Sequence, residues 1–297
     1  KKLSSGSRSA AAVEATARCG QMAQALRRLT LRDGRTLAWR EYGLSSGHPV
    51  IFTHGNLNSR LFAPSWTSSE SDAEVAGARV FAVDRPGYGA SSVHIGRSYL
   101  DWATDVEELA DHLQLDRFSV LGFSSGGPHA LVVAARLGSK KIASCGLASS
   151  DAPYYKLGLV ELMYGSKAVT WEVAMARSAR NAAVMRASYE SMPKPERREL
   201  ALADIDNACA QGFEGAASDS VLEAAESWGF DIGRIELPVL LWHGTKDQDV
   251  PLAAGKYLAE HIGSNCKAEF VEGESHTMIR RQWRTMLSQL LSAAQGP

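Results

Sequence analysis

Between Phe118 and Gly127 an apolar run suited to a buried strand meets Gly-x-Ser-x-Gly, and a helix-compatible segment from His129 to Leu137 follows at once. Few chain paths accommodate that order. The strand has to turn into a helix over a serine, and the turn is tight enough that the residues two before and two after it must be small. Gly122 and Gly126 provide that room around Ser124. Around Ser125 the earlier position is Phe123, which would clash, so the register singles out Ser124. The glycines let a serine occupy a strained backbone conformation. The helix that begins just after it points N–H groups and a positive dipole end at any negative charge formed beside the hydroxyl.

A serine hydroxyl is a poor nucleophile until a base takes its proton, and the base needs an acid to orient it. On a strand–turn–helix elbow the partners follow in the order Ser, Asp/Glu, His. Pro238-Val239-Leu240-Leu241-Trp242-His243-Gly244 reads as a short buried strand, and Asp247 lies in the loop just beyond it. Ala268 to Val271 alternates like a strand, the loop Glu272-Gly273-Glu274-Ser275-His276 follows, and a helical pattern starts near Met278. His276 and Asp247 are therefore expected at the same sheet edge as Ser124, where the functional groups of open α/β sheets collect. Asp249 competes with Asp247, but the spacing from Gly244 favours Asp247. Asp151, just after the strand Ile142–Ala148, is the second rival.

Two N–H groups are needed to hold a tetrahedral oxyanion, each worth about a hundredfold to a thousandfold in turnover. One is expected from Ser125, the residue after the nucleophile, and one from the loop after an early strand. Val50 to Thr53 is that strand, and His54-Gly55-Asn56 turns away from it. Asn56 is the expected donor, with Leu57 its neighbouring alternative.

Taken together these motifs resemble the α/β-hydrolase superfamily over roughly Leu26 to Leu291. His54-Gly55 is similar to that family's oxyanion motif, Asp84 to Ser91 to its loop after the fourth strand, Gly244 to Pro251 to its acid loop, and Gly273 to His276 to its histidine loop. The resemblance implies a hydrolase working through an acyl-enzyme, with no metal or organic cofactor. A serine in the elbow sets the chain apart from the relatives that use an aspartate there, the epoxide hydrolases and haloalkane dehalogenases. It leaves open carboxylic ester hydrolysis, a prolyl-aminopeptidase-like activity, C–C bond hydrolysis, perhydrolysis and, outside enzymes, a ligand-sensing receptor on the same scaffold.

Read for layers, the chain predicts a doubly wound, mostly parallel eight-stranded α/β sheet. Arg28–Leu31 and Thr36–Tyr42 flank the turn Asp33-Gly34 and open it as an antiparallel hairpin. A helix from Tyr99 to Leu113 is expected to present Leu100, Val106, Leu109 and Leu113 to the core. From Pro153 to about Asp231 no convincing strand occurs. This gives a core of residues 26–152 and 232–297, a helical cap at 153–231, and an N-terminal extension at 1–25. Tyr154, Tyr155 and Trp171, with Leu57, are the expected pocket-facing side chains. Glu161, Glu172 and Glu190 are the cap acids that a substrate ammonium would need.

With 32 basic against 33 acidic residues, nothing calls for nucleic acid or a charged membrane surface, and no run of about twenty apolar residues is present. The expected partner is an uncharged, partly apolar small molecule, and the chain is expected as a monomer or homodimer. Cys19, Cys145, Cys209 and Cys266 lack metal-ligand spacing and read as free thiols in a reducing compartment, which favours the cytoplasm. Residues 1–28 are rich in Ala, Ser and Arg, with Glu14 the only acid. That composition suits an organellar transit segment, a cloning remnant or a docked amphipathic helix. His54 and His243 are expected to be buried structural histidines, His129 to face the helix interior or a neighbouring loop, and Asp84 and Arg85 to organise their loop by ion pairing.

Overall fold

A computed structural model of the chain describes residues 26–66 and 68–296, so the stretch 1–25 and its Cys19 lie outside the described residues. Eight strands form one sheet: β1 (Arg27–Thr30), β2 (Thr36–Gly43), β3 (His48–Thr53), β4 (Ala78–Asp84), β5 (Phe118–Phe123), β6 (Ile142–Ala148), β7 (Val239–Gly244) and β8 (Cys266–Val271). They lie in the order β1-β2-β4-β3-β5-β6-β7-β8. Strand β2 runs antiparallel to β1 and β4, and the other neighbours are parallel. The central strands β5 and β6 are buried at every position, as strands covered on both faces must be. The edge strand β8 has no fully buried residue.

Among the described residues, α-helices follow in chain order: α1 (Ser69–Ala76), α2 (Tyr99–His112), α3 (Gly126–Lys141), α4 (Tyr154–Leu157), α5 (Val160–Tyr164), α6 (Trp171–Glu190), α7 (Pro195–Ala208), α8 (Glu214–Ala224), α9 (Leu252–Ile262) and α10 (Ile279–Ala294). Helices α2, α3 and α9 bury their apolar sides against one sheet face, where Val120, Leu147 and Leu241 point. Helix α10 covers the other face, packing Trp283, Met286, Leu287 and Leu290 against Phe52, Leu121 and Trp242. The chain winds from β3 to β4 in one direction and from β5 to β8 in the other. Its switch point is the β3/β5 pair, the place where α/β sheets open a crevice.

One local reading needs correction. In α2 the buried side is Tyr99, Trp102, Ala103, Val106, Leu109 and Ala110, while Leu100 is 40% exposed. Tyr99 and Trp102 set the 3–4 spacing toward the core, and Leu100 stands one residue off that stripe. The capping box of Ser98 and Asp101 starts the helix where expected. Helix α1 was not foreseen. Its sequence SESDAEVA is mostly polar and buries only Ser69 and Ala73, so it carries no periodic signal.

Helices α4 to α8 connect β6 to β7. Their contact with the sheet edge is partly apolar, where Ala182, Ile205, Ala208 and Ala216 meet Leu57 and Tyr88. It is also held by two buried aspartates. Asp204 of α7 accepts from Asn58 Nδ2 at 2.8 Å, Ser59 N at 2.9 Å and Ser59 Oγ at 2.7 Å. Asp219 of α8 accepts from Tyr88 Oη at 2.6 Å and ion-pairs with Arg85 at 3.0 Å and with Arg97.

Candidate active site

Ser124 stands at the end of β5 with φ +54°, a left-handed conformation that costs a non-glycine residue roughly 1–3 kcal/mol unless its surroundings fix it. They do. Gly122 and Gly126 are packed so closely that a Cβ on Gly122 would lie 2.2 Å from the Gly126 carbonyl oxygen, and one on Gly126 would lie 2.2 Å from that of Thr53. The Thr53 hydroxyl donates to the Gly126 carbonyl at 3.0 Å, tying β3 to the same turn. Both neighbours of Ser124 are buried, and Ser124 itself is partly exposed.

His276 opens a single 3-10 turn, His276–Met278, ahead of α10. Its Nε2 lies 3.1 Å from Ser124 Oγ and its Nδ1 2.9 Å from Asp247 Oδ2. With the proton on Nδ1, the ring donates to the carboxylate and is free to accept from the serine. Ser149, after β6 and also at positive φ, donates its hydroxyl to the His276 carbonyl at 3.0 Å. Sequence reasoning passed over Ser149, because nothing local marks a serine whose partner is so distant in the chain. Phe123 packs its ring 5.1 Å from the imidazole.

Asp247 Oδ1 accepts from the backbone of Asp249 at 3.0 Å and of Val250 at 2.8 Å, which leaves Oδ2 for His276. Backbone bonds lace the acid and histidine loops together, from Thr245 to Val271 at 3.0 Å and from Lys246 to Glu274 at 2.9 Å. Burial acts to raise the Asp247 carboxyl, but the hydrogen bond and charge of His276 outweigh it and hold the group below its usual 3.8. Burial likewise acts to lower His276, and here the Asp247 hydrogen bond and charge win, raising the imidazole above 6.5. His243 is buried with Nε2 3.0 Å from the Val250 carbonyl and 3.5 Å from Asp247 Oδ2. Asp247, Asp249 and His276 place three ligand atoms within 4.8 Å of one another, but a cation there would occupy the imidazole that Asp247 and Ser124 share.

The rival acid is otherwise engaged. Asp151 is buried, accepts from the Tyr154 hydroxyl and lies near the Glu223 carboxyl of α8. Glu223 in turn accepts from Tyr164 Oη at 2.7 Å. Desolvation raises both carboxyl groups, and the nearness of each to the other allows only one to ionise readily.

On the other side of Ser124 lie the candidate oxyanion donors. The backbone N–H groups of Asn56, Leu57 and Ser125 donate to no protein acceptor among the described residues. Leu57 has φ +55°, and it is buried against α7 and α8. Arg85 braces the Ser125 side. Its Nη1 donates to the Ser125 carbonyl at 3.0 Å and its Nη2 to the Ser125 hydroxyl at 3.0 Å, while its backbone N–H donates to His54 Nε2 at 3.2 Å. Asp84 and Arg85 do not pair with each other. Asp84 takes Arg60 at 2.5 Å, and Arg85 takes Asp219. His129 is buried beside the same cluster, with Nδ1 2.8 Å from the Ser125 carbonyl.

Of the side chains expected to face a pocket, Leu57 and Tyr154 are buried, Trp171 is half-buried at the start of α6, and Tyr155 is 50% exposed. Glu161, Glu172 and Glu190 all lie on exposed faces of their helices. Cys145, Cys209 and Cys266 are free thiols. No helix among the described residues is long and apolar enough to cross a membrane.

Known proteins share this plan. A family model described as the alpha/beta hydrolase fold matches residues 48–277. A non-heme chloroperoxidase of Streptomyces lividans is 30% identical over 263 residues, 84% of this chain and 93% of that protein. A non-heme haloperoxidase of Rhodococcus erythropolis is 28% identical over 276 residues, 89% of this chain and 97% of that protein. Among solved structures, an esterase from Exiguobacterium antarcticum superposes with TM-score 0.69 at 22% identity, covering 91% of this chain and 99% of that one. A bromoperoxidase from Bacillus anthracis gives TM-score 0.69 at 21% identity, over 92% of this chain and all of that one. At that identity the structural likeness speaks for the fold alone.

Proposed function

The chain belongs to the alpha/beta hydrolase fold family and is a hydrolase, and from that premise we propose that it cleaves carboxylic esters through Ser124, His276 and Asp247. The observation that carries the proposal is the unbroken run Asp247 Oδ2, His276 Nδ1, His276 Nε2, Ser124 Oγ, with spacings of 2.9 and 3.1 Å on a serine held at φ +54°. His276 takes the Ser124 proton as Oγ bonds to the ester carbonyl carbon. Asp247 keeps the ring in the productive tautomer and stabilises the imidazolium. The N–H groups of Asn56 and Ser125 receive the oxyanion. The alkoxide then leaves with the proton from His276, and water, activated by the same ring, releases the acid and restores Ser124.

Helices α4 to α8 are proposed as a cap (residues 153–231) over this edge, excluding water and shaping the acyl pocket. The exposed positions of Glu161, Glu172 and Glu190 support an ester over an aminopeptide substrate, since none of them turns inward to hold an ammonium group. A fluorophosphonate probe that labels wild type and spares Ser124→Ala tests the nucleophile. A series of p-nitrophenyl esters of rising chain length, set beside aminoacyl anilides, tests the substrate class.

A second reading is favoured by the relatives named for haloperoxidase activity. Hydrogen peroxide in place of water would attack the acyl-enzyme and release a peracid, with the same proton transfers through His276. Bromide oxidation that requires both a short carboxylic acid and hydrogen peroxide, and that is lost in Ser124→Ala, would identify it.

A further inference from the structure

Four arginines are buried in the described structure, Arg40, Arg60, Arg85 and Arg97, and each reaches a carboxylate. Arg280 and Arg197 do not. Arg280 sits in the first turn of α10, one helical turn beyond His276, with its guanidinium 3.5 Å from the centre of the Trp66 ring and 4.6 Å from that of Phe62. Arg197, in the first turn of α7, approaches the same indole at 6.0 Å. No carboxylate oxygen among the described residues lies within 4.0 Å of either guanidinium. Among the described residues Arg280 donates from Nη1 to the Ala63 carbonyl at 2.6 Å and to no other acceptor, and the Arg197 Nε is buried with no hydrogen-bond partner.

Physical chemistry makes this arrangement costly unless something negative completes it. Cation–π contacts offset part of the desolvation of one guanidinium, but they do nothing for the repulsion between two. Both charges also stand at helix N-termini, where the dipole is already positive, and α10 has no acid in its first turn. Burial, reinforced by the charge of Arg197, pushes Arg280 down to about 10, even though Tyr189 and Asp204 pull the other way. Asp204 is not the missing partner, since Asn58 and Ser59 already hold its carboxyl.

We propose that Trp66, Arg197 and Arg280 form a subsite for an anionic oxygen group, a carboxylate or a phosphate. Guanidinium forks suit either group, and both guanidiniums approach the Trp66 indole. The subsite shares a wall with the reaction centre, because Phe62 stacks on Phe123 at 5.1 Å, and Phe123 both precedes Ser124 and packs on His276. Trp66 lies in the same loop after β3 as Asn56. If the anion belongs to the substrate, the preferred esters carry a second, ionised acid group, in place of the uncharged substrate the composition suggested. That form of the inference rests on Ser124 being the acylating nucleophile.

The test compares kcat/KM for mono-p-nitrophenyl glutarate and p-nitrophenyl pentanoate, esters of equal chain length with and without a terminal carboxylate. The wild-type ratio of acidic to neutral ester is expected to fall roughly tenfold or more in Arg197→Gln, the loss of one charge-assisted hydrogen bond. Arg280→Gln removes a group packed between two rings, so the half-buried Arg197 variant carries the comparison. In parallel, inorganic phosphate and glutarate are titrated against Ser124→Ala by thermal shift, with chloride matching the ionic strength. A rise in Tm that Arg197→Gln abolishes, with the ester ratio unmoved, assigns the subsite to a free anion. An unmoved ratio and no anion-specific rise in Tm together overturn the proposal. Should wild type turn over neither ester, the nucleophile assignment fails, and the thermal-shift arm decides the subsite alone.

Discussion

Arg85 grips Ser125 at two points, its guanidinium donating to the carbonyl and to the hydroxyl at 3.0 Å each. The same guanidinium pairs with Asp219 of α8 at 3.0 Å. One buried cation thus links the N-cap of α3, where an oxyanion donor is proposed, to the helices laid over the sheet edge. Replacing it by lysine keeps a charge but loses the fork. Arg85→Lys is expected to lower kcat about tenfold to a hundredfold with KM less affected, and to lower Tm as Asp219 loses its pairing geometry. Equal kcat in the variant and wild type would mean that Arg85 serves stability alone.

The two candidate acids make opposite predictions. Asp247→Asn should cost about 10⁴ in kcat, since the amide no longer selects the Nδ1–H tautomer. It should also move the acidic limb of the rate profile to lower pH, because the charge that raises His276 is gone. Asp151→Asn should leave activity within about tenfold, its carboxyl being bonded to Tyr154 and not to His276. Steady-state pH profiles of both variants check the pair. A collapse in Asp151→Asn with an active Asp247→Asn would reverse the assignment.

Asp204 gives the fold a pH dependence of its own. Burial lifts its carboxyl from 3.8 to about 7, against the pull of the donors on Ser59 and Asn58. The folded chain therefore holds this proton more tightly than the unfolded chain does. Its contribution to stability is complete below pH 3.8, declines as pH rises through the interval, and is lost above about 7. Relative to Asp204→Asn, wild type should lose Tm from pH 5 to about pH 7 and level off above it. A difference between the two that stays constant with pH would contradict this.

Gly126 has no room for a methyl group. Its Cβ would lie 2.2 Å from the Thr53 carbonyl and 2.6 Å from that of His54. Gly126→Ala is expected to cost at least about 1–3 kcal/mol by forcing β3 and the elbow apart. Urea denaturation measures it, and an unchanged midpoint would mean the turn is looser than described.

How much of this could be read from the residues depended on how local each signal was. The Ser124 turn announces itself within five residues, because sterics alone demand Gly122 and Gly126. Strands β3, β5, β6 and β7 are legible as short apolar runs, since sheets covered on both faces need them. Asp247 could be nominated because it follows such a run and His276 because it follows the alternating strand at Ala268 to Val271, and their meeting across the sheet edge follows from the order of parallel strands. Helix α1 left no trace, because a helix that buries only a serine and an alanine needs no apolar stripe. Leu100 misled because hydrophobicity marked it, whereas Tyr99 and Trp102 decide which side turns inward. The partners of Arg85, the grip of Ser149 on His276 and the pairing of Arg197 with Arg280 about Trp66 are wholly tertiary. No spacing in the chain foretells them.

The reaction of Ser124 with a fluorophosphonate, followed by intact mass and by p-nitrophenyl ester turnover, bears most directly on the central assignment. Wild type should gain one phosphonyl adduct and lose esterase activity in step with it. Ser124→Ala should gain none, and its kcat should be lower by on the order of a millionfold. Esterase activity surviving in Ser124→Ala, or an adduct mapping elsewhere while turnover ceases, would contradict the account.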